Sequence, residues 1–438
     1  MKKKMPDNLF FRSMVVMVGC VCMAVCLGGC VPEYVWLEEE TVPPRRGERV
    51  ISLEEIENVG MGTFEGDEER PVSDGDVWEL PEDGNFLCRE IVGFEYARLD
   101  ANEQLWYQDM AQAMGELSGK IKLSEKGIQA GLDEKKVDKI FQAVLNDHPE
   151  LFYVEGYNYT QYTRAEKTVA IEFSGTYNMD KDVVLERRKE IEAEVSKILE
   201  KAPKGASDYD KIKYVYDLLI TETEYDLEAE NNQNIYSVFV GHASVCQGYA
   251  KSFQYLLNRM GVECALVQGK VRETGEGHAW NLVKADGDYY YVDATWGDIS
   301  YQSDDGESEE QQNMLPEISY DYLCVTTKQL LRTHILDTSA GMPECTAEKD
   351  NYFVREDALF KEYDKEQLTK LVNKRLEQGR YDISLRCADE QCYDTMCEAL
   401  LERREIFNYL KGTGVSSFVY SNSDQQLTLT FFMVTSKQ

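Results

Sequence analysis

An Asp-Gly pair between two strand-like runs constrains the fold of this chain more than any other feature. Asp286 and Gly287 separate two runs rich in apolar residues, an arrangement that predicts a β-hairpin with a two-residue loop. In that register His278 and Asp293 are diagonal neighbours on one face, roughly 7–8 Å apart at the backbone. Any even loop length preserves this relation, whereas an odd one would need a bulge. The hairpin therefore brings together an imidazole and a carboxylate, as a catalytic base and its orienting acid require.

A cysteine precedes the hairpin at the start of a predicted helix. Apolar residues recur with helical spacing after Cys246, and Gly261 closes a pattern formed by Ala250, Phe253, Leu256, Leu257 and Met260. The unpaired N–H groups and the dipole at a helix start favour a thiolate, and the same N–H groups can bind an oxyanion. Gly248 is expected to leave room beside the sulfur for a substrate backbone. Cys246 is therefore a candidate nucleophile.

Three segments in this order resemble the bacterial transglutaminase-like superfamily: Val-Cys-Gln-Gly-Tyr-Ala at 245–250, Gly-His-Ala-Trp-Asn at 277–281 and Tyr-Val-Asp-Ala-Thr-Trp at 291–296. The resemblance spans about residues 214–298. That superfamily is similar to papain-like proteases, with the cysteine on a helix and the histidine and aspartate on adjacent strands. It implies an α+β fold in which the helix that carries Cys246 packs on an antiparallel sheet that carries His278 and Asp293.

The resemblance also implies roles for individual side chains. Cys246 is the nucleophile, His278 the base, and Asp293 the residue that fixes the tautomer of the imidazole. Trp280 and Trp296 are expected to wall the site. Members often complete the oxyanion hole with a side chain upstream of the cysteine. Here the further candidates for the substrate cleft or the oxyanion hole are Gln247, Gly248, Tyr225 and Tyr236.

The implied activity is that of a cysteine acyltransferase or hydrolase that acts on amide bonds of peptides or proteins and needs no cofactor. A thioester on Cys246 would be resolved by water, as in a protease or amidase, or by an amine, as in a crosslinking transglutaminase. The sequence does not choose between these outcomes. The alternative is a catalytically silent transglutaminase-like scaffold or binding protein at the cell surface, because some relatives keep the fold without the chemistry.

The N-terminus predicts export and a lipid anchor. Three lysines at 2–4 precede an apolar run at 13–27, which has the length of a signal-peptide core and is short for a membrane span. Leu-Gly-Gly-Cys at 27–30 has the form of a bacterial lipobox, in which Cys30 is acylated, and several acyl chains anchor a protein stably. An ordinary signal peptide is the alternative. The chain is expected to be extracytoplasmic on a bacterial membrane, with cell-wall peptides as candidate substrates.

Charge and residue spacing argue against two other kinds of site. The chain has 80 acidic and 47 basic residues, a net charge of −33, whereas nucleic-acid binding needs clustered Lys and Arg. There is no CxxC motif, and the four histidines, His148, His242, His278 and His334, are scattered along the sequence. A group formed by His242, Cys264 and His278 fits no familiar zinc spacing. We therefore expect neither a nucleic-acid partner nor a metal.

Composition and periodicity divide the chain into five segments. We expect a signal peptide at 1–30, an acidic disordered tether at 31–85, an α+β module at 86–204, the catalytic domain at 205–336 and a second α+β module at 337–438. Both flanking modules have the predicted order helix, strand, helix, strand, strand, which indicates either related folds or coincidence. The more specific predictions are strands at 151–154 and 169–173, a helix at 393–410, and a capped helix that opens at Thr326.

Overall fold

A computed structural model of the protein describes residues 33–37, 93–164, 167–299, 318–337, 341–411, 413 and 415–435. These residues form two compact units, one from residues 95–185 and the other from residues 33–37, 93–94 and 186 onward. The predicted signal peptide and the acylation site at Cys30 lie outside the described residues. The predicted domain boundaries after residues 204 and 336 stay predictions. Strand β1 (Glu33–Leu37) is the first element of the second unit.

The first unit combines helices with a three-stranded antiparallel sheet of order β2-β4-β3. Its main elements are α1 (Ala101–Gly115), β2 (Ile121–Lys122), α2 (Glu125–Gln129), α3 (Glu134–Asp147), β3 (Val154–Arg164) and β4 (Lys167–Tyr177). The boundary between the units falls inside α4 (Lys181–Lys201). Each of these helices carries buried residues, which in α4 include Val184, Ile191 and Val195, and this burial accounts for the apolar spacing in the sequence.

The strand predicted at 151–154 is wrong, whereas the strand predicted at 169–173 lies within β4 and is confirmed. Leu151, Phe152 and Tyr153 are buried in a turn, where the N–H of Val154 donates to the carbonyl of Leu151. The strand begins only at Val154. A short apolar run fits a buried turn as well as a buried strand, and Pro149 just upstream favours the turn.

The second unit opens with short elements that lead to the helix of the predicted nucleophile. They are α5 (Asp208–Glu222), β5 (Glu224–Tyr225), α6 (Ile235–Phe239), β6 (Ala243–Ser244) and α7 (Cys246–Arg259). The predicted end of α7 is confirmed, because the chain leaves the helix through Gly261 with φ at 75°, a conformation that glycine adopts readily.

A four-stranded antiparallel sheet of order β10-β7-β8-β9 carries the predicted hairpin. Its strands are β7 (Cys264–Val271), β8 (Gly277–Ala285), β9 (Asp288–Val292) and β10 (His334–Leu336). The predicted register is confirmed, because Ala285 pairs with Asp288. Asp286 and Gly287 have φ of 47° and 91°, the two positive values of a type I′ turn. The capped helix predicted at Thr326 is also confirmed and spans Thr327–Leu330.

The C-terminal part adds a sheet of order β1-β13-β14-β12-β11. Its later strands are β11 (Leu359–Phe360), β12 (Asp382–Cys387), β13 (Val415–Ser423) and β14 (Thr428–Thr435). The helices here are Tyr352–Arg355, Lys365–Glu377, Glu390–Cys397 and Ile406–Tyr409, with a π-helical turn at Glu398–Glu402. Within the described residues, every helix is too short or too polar to cross a membrane.

Two expectations about this sheet need correction. The helix predicted at 393–410 is interrupted, because Arg404 adopts a positive φ of 54° and ends the helical run. The predicted tether at 31–85 loses residues 33–37 to the sheet, where Glu33 pairs with Asn422 and Leu37 with Phe418. The rest of the tether lies outside the described residues.

The flanking modules agree in one topological feature. In both β2-β4-β3 and β12-β14-β13, the first strand lies beside the third, and each contact is antiparallel. This shared order favours related folds over coincidence, but the relation stays a prediction.

Candidate active site

Helix α7 begins at the predicted nucleophile. Cys246 is its first residue, so the prediction that this cysteine stands at a helix start is confirmed. The side chain is buried and packs with Ala250, Leu266 and Ala279. Because Ala279 directly follows His278 on β8, the cysteine lies against the strand of the predicted base.

Two side chains of the sequence motifs fix α7 in place. Asn281 on β8 donates through Nδ2 to the carbonyl of Ala250 at 2.9 Å. The hydroxyl of Tyr249 lies 2.6 Å from the carbonyl of Thr223 and 2.9 Å from Oδ2 of Asp298. These buried polar contacts specify how the start of α7 sits against β8 and against the loop that follows β9.

His278 and Asp293 form the predicted imidazole–carboxylate contact. Nε2 of His278 lies 2.7 Å from Oδ2 of Asp293, and both side chains are buried. Oδ1 of Asp293 accepts the backbone N–H of Trp296 at 3.1 Å. Asp293 directly follows β9 instead of lying within a strand. With Nε2 donating to the carboxylate, Nδ1 is the nitrogen of His278 that can take up a proton.

A second imidazole, which the sequence reasoning missed, contacts the same carboxylate oxygen. Nε2 of His334 lies 3.1 Å from Oδ2 of Asp293, and the rings of His334 and His278 are 5.4 Å apart. His334 is fully buried on β10 and pairs with Val271 of β7. The four histidines are scattered along the sequence, but folding brings two of them together, because β10 pairs with the edge of β7.

Burial and the two imidazoles act on Asp293 in opposite directions. Burial alone would raise the pKa of Asp293, but the charge and hydrogen bond of His278, followed by those of His334, hold this pKa well below its usual range. Burial lowers the pKa of His334, and the Asp293 carboxylate offsets this only in part. The site therefore favours an ionised carboxylate and a neutral His334.

Within the described residues, His278, Asp293 and His334 are the group that could hold a metal ion, with ligand atoms within 4.8 Å of one another. The separation of 2.7 Å between Nε2 of His278 and Oδ2 of Asp293 is a hydrogen-bond length. A tetrahedral zinc ion with bonds of about 2.0–2.1 Å would hold its ligand atoms roughly 3.3 Å apart. The contact thus fits a hydrogen bond better than two ligands of one metal.

Comparisons with known proteins agree with the sequence motifs. Residues 197–294 match the model of the transglutaminase-like superfamily. This segment is a transglutaminase-like domain. Part of the chain is 30% identical over 118 residues to Kyphoscoliosis peptidase of Mus musculus and 28% identical over 118 residues to that of Homo sapiens. Each alignment covers 24% of this chain and 17% of the relative. A solved structure described as a TGase has 18% identity and a TM-score of 0.25, and covers 43% of this chain and 54% of that one.

The transglutaminase-like domain has the expected α+β fold, with α7 packed on the antiparallel sheet of β7, β8 and β9. The matched residues include Cys246, His278 and Asp293 but end at residue 294. His334 lies beyond them, on the strand that completes the sheet.

Both predicted tryptophans, Trp280 and Trp296, contact the histidines. The Trp280 ring lies 5.8 Å from the ring of His278 and 4.8 Å from that of His334. The corresponding distances for Trp296 are 5.7 Å and 4.6 Å. Both indoles are buried, so they exclude water from the imidazole–carboxylate contacts and strengthen them.

The reason proposed for Gly248 is wrong. A Cβ at this position would lie 1.9 Å from Oγ of Ser244 and 3.1 Å from the carbonyl oxygen of Asn232. The space beside the glycine is therefore filled by the protein's own chain, and Gly248 allows β6 and the loop at Asn232 to approach α7.

The remaining candidates differ in their surroundings. Gln247 is buried in the first turn of α7, and its Oε1 has no hydrogen-bond partner among the described residues. Tyr225 pairs with Ser244, two residues before the cysteine. The hydroxyl of Tyr236 donates to Glu190 at 2.8 Å, so an oxyanion role for Tyr236 would require that contact to break. The oxyanion roles of all three stay predictions.

A cavity of about 130 Å³ lies beside the histidines and is lined by Val271, Arg272, Glu273, Trp296, Arg332, Thr333 and Gln425. Arg272 donates to the carbonyls of Leu331 and His334, and Arg332 donates to that of Gln425. The lining therefore combines two guanidinium groups, both held by backbone carbonyls, with the carboxylate of Glu273.

Proposed function

We propose that this protein is a cysteine acyltransferase or hydrolase of amide bonds, with Cys246 as nucleophile, His278 as base and Asp293 as the orienting acid. His278 takes the thiol proton as the sulfur bonds to the carbonyl carbon of a peptide or carboxamide. The C–N bond then breaks, the same proton passes to the departing amine, and a thioester remains on Cys246. Water or a second amine resolves the thioester.

The observation that carries this proposal is the buried contact of 2.7 Å between His278 and Asp293, next to the strand residue Ala279 against which Cys246 packs. A carboxylate fixed on Nε2 directs the basic lone pair of the imidazole to Nδ1. The helix start supplies N–H groups for the oxyanion and favours the thiolate. The match to a superfamily that includes cysteine proteases and acyltransferases supports the same chemistry.

We place this activity outside the cytoplasm, with the chain held on a bacterial membrane by acylated Cys30. The proposal rests on the lipobox form of residues 27–30. It makes peptides or proteins at the cell surface, including cell-wall peptides, the candidate substrates.

The alternative is a catalytically silent transglutaminase-like binding domain, and one observation favours it. Cys246 is 0% exposed, and His278 and Asp293 are each 1% exposed. A substrate amide reaches the sulfur only if neighbouring side chains move, whereas a binding domain needs no such access.

Alkylation by iodoacetamide separates the two functions, because other cysteines of the chain serve as internal controls. Cys264 and Cys324 are also buried, and burial raises the pKa of both thiols well above its usual value. An activated Cys246 reacts at least about tenfold faster than these two thiols at neutral pH, as peptide mass spectrometry would show. Equal rates at the three positions would reject the enzyme and favour the binding domain.

A further inference from the structure

A buried chain of hydrogen bonds connects the C-terminal part of the protein to Asp293. Nε2 of Gln426 lies 3.1 Å from the hydroxyl of Tyr322, and this hydroxyl lies 3.0 Å from Oγ1 of Thr333. Oγ1 of Thr333 lies 2.8 Å from Nδ1 of His334, whose Nε2 contacts Asp293 at 3.1 Å. All five side chains are buried.

The donors in this chain point in one direction. Oε1 of Gln426 faces Nη2 of Arg386 at 3.4 Å, which assigns the amide so that Nε2 donates to Tyr322. The Tyr322 hydroxyl can then donate its own hydrogen to Thr333. Thr333 can donate to Nδ1 of His334 at 2.8 Å, a shorter contact than the 3.4 Å to its other acceptor, the carbonyl of Leu330. An accepting Nδ1 leaves the hydrogen of a neutral imidazole on Nε2, where it donates to Asp293.

We propose that His334 is a positioning residue of the active site, held by Thr333, Tyr322 and Gln426 as the neutral Nε2–H tautomer and donating to Asp293 so that this carboxylate stays aligned with His278. The inference rests on the proposed function only for its effect on catalysis. It assigns the C-terminal segment around Gln426 a part in the active site, although the superfamily match ends at residue 294.

The arrangement leaves the carboxylate of Asp293 little freedom to turn. Oδ2 accepts from two imidazoles and Oδ1 accepts from the backbone N–H of Trp296. If the hydrogen of His334 were on Nδ1, the lone pair of Nε2 would face the lone pairs of Oδ2 and repel them. The tautomer of His334 therefore decides whether Asp293 is held by three donors or pushed away from its partner His278.

Nitrogen NMR of protein labelled with 15N-histidine tests the tautomer directly, because the chain has four histidines. Assignment uses the single variants His148→Gln, His242→Gln and His334→Gln. At neutral pH we expect His334 to show a protonated Nε2 and an unprotonated Nδ1. A protonated Nδ1, as the other tautomer or as imidazolium, overturns the proposal. Thr333→Val removes the donor to Nδ1 with little change of shape and should produce a mixture of tautomers.

A pair of variants tests the effect on His278. His334→Gln keeps an N–H donor towards Asp293, whereas His334→Leu removes it. We expect His334→Leu to shift the Nε2–H signal of His278 and to slow alkylation of Cys246 by about 10- to 100-fold. His334→Gln should keep a His278 signal and an alkylation rate close to those of the wild type. A His278 signal that is the same in His334→Leu and in the wild type overturns the proposal. If His334→Leu does not fold, the His278 signals of Thr333→Val and His334→Gln test the role of His334 instead.

The two readouts separate this inference from the proposed function. Should wild-type Cys246 react no faster than Cys264, the proposed enzyme fails, yet the NMR signals still show whether His334 positions Asp293 and His278. Should Cys246 react fast in both the wild type and His334→Leu, the proposed enzyme stands and the role of His334 fails.

Discussion

Each compact unit contains a histidine that is hydrogen-bonded to a carboxylate. The pKa of the histidine is raised in the first unit, whereas the pKa of His334 is lowered in the second. In the first unit, Nδ1 of His148 lies 2.7 Å from Oε1 of Glu150. Burial alone would lower the pKa of His148, but Glu150 raises it above its ordinary value of 6.5. In the second unit, Asp293 is shared by His278 and His334, and burial lowers the pKa of His334 below 6.5 in spite of the carboxylate.

The difference follows from the balance of carboxylates and imidazoles, because Asp147 acts on the pKa of His148 in the same direction as Glu150, whereas Asp293 is shared by two imidazoles. Two carboxylates near one imidazole stabilise its charged form. One buried carboxylate between two imidazoles cannot compensate two positive charges, so the second ring is better held as a neutral donor. The first arrangement is a local contact at the end of α3, since His148 and Glu150 are two residues apart. The second joins His278 on β8, Asp293 directly after β9 and His334 on β10, and it suits a site that must hold one tautomer.

The largest difference between the two contacts should be in activity. We expect Asp293→Asn to lower the hydrolysis of a peptide library by roughly 10³- to 10⁴-fold, because an amide no longer fixes the tautomer of His278. The matched variant Glu150→Gln, which removes the other carboxylate, should leave the rate unchanged. Similar losses in both variants would mean that the two contacts act alike, through folding alone.

The same two variants should also differ in stability. Asp293→Asn leaves two buried imidazoles facing an amide and should cost about 3–5 kcal/mol of local unfolding free energy. Glu150→Gln removes one charged hydrogen bond at a partly exposed histidine and should cost only about 1–2 kcal/mol. Amide hydrogen exchange in the unit that carries each variant measures both costs, and the reverse order would contradict the comparison.

The pH dependence of stability should have opposite signs in the two units. Because the pKa of His148 is raised on folding, its contribution is complete below about pH 6.5 and is lost as pH rises through the folded value. Because the pKa of His334 is lowered, its contribution is complete above about pH 6.5 and is lost as pH falls. Amide hydrogen exchange between pH 5 and 8 measures these contributions. In His148→Gln the loss of stability as pH rises should become smaller, and in His334→Gln the loss of stability as pH falls should become smaller. A smaller loss in the same pH direction in both variants would refute this difference.

The smallest effect is expected from metal removal. Since the contacts of Asp293 have hydrogen-bond lengths, EDTA should leave the rate of Cys246 alkylation and the histidine NMR signals unchanged. Loss of the His278 and His334 signals after addition of zinc, with the signal of His148 intact, would instead identify a metal site in the second unit.

Local contacts made part of this site predictable from sequence. The Asp286-Gly287 turn sets the pairing of β8 with β9 by itself, since both loop residues adopt the positive φ that such a loop needs. The start of α7 at Cys246 followed from helical spacing. Both features depend on neighbours in the chain.

The parts that could not be predicted depend on long-range packing. His334 and Asp293 are 41 residues apart in the sequence and meet because the three-residue strand β10 pairs with β7. The run at 334–336 has no sequence pattern that predicts this pairing. Gly248 is required by the approach of Ser244, a contact between elements that the sequence does not pair. The capped helix at Thr326 could be predicted from the sequence, but the contact of the nearby His334 with Asp293 could not.

The rate of iodoacetamide alkylation at Cys246 in the wild type, His278→Gln and His148→Gln tests the central claim most directly. We predict that His278→Gln slows the reaction at least about tenfold at neutral pH, because the thiol loses the base that takes its proton, while His148→Gln leaves it unchanged. Equal rates in all three proteins would contradict the account, because Cys246 would then react without help from His278.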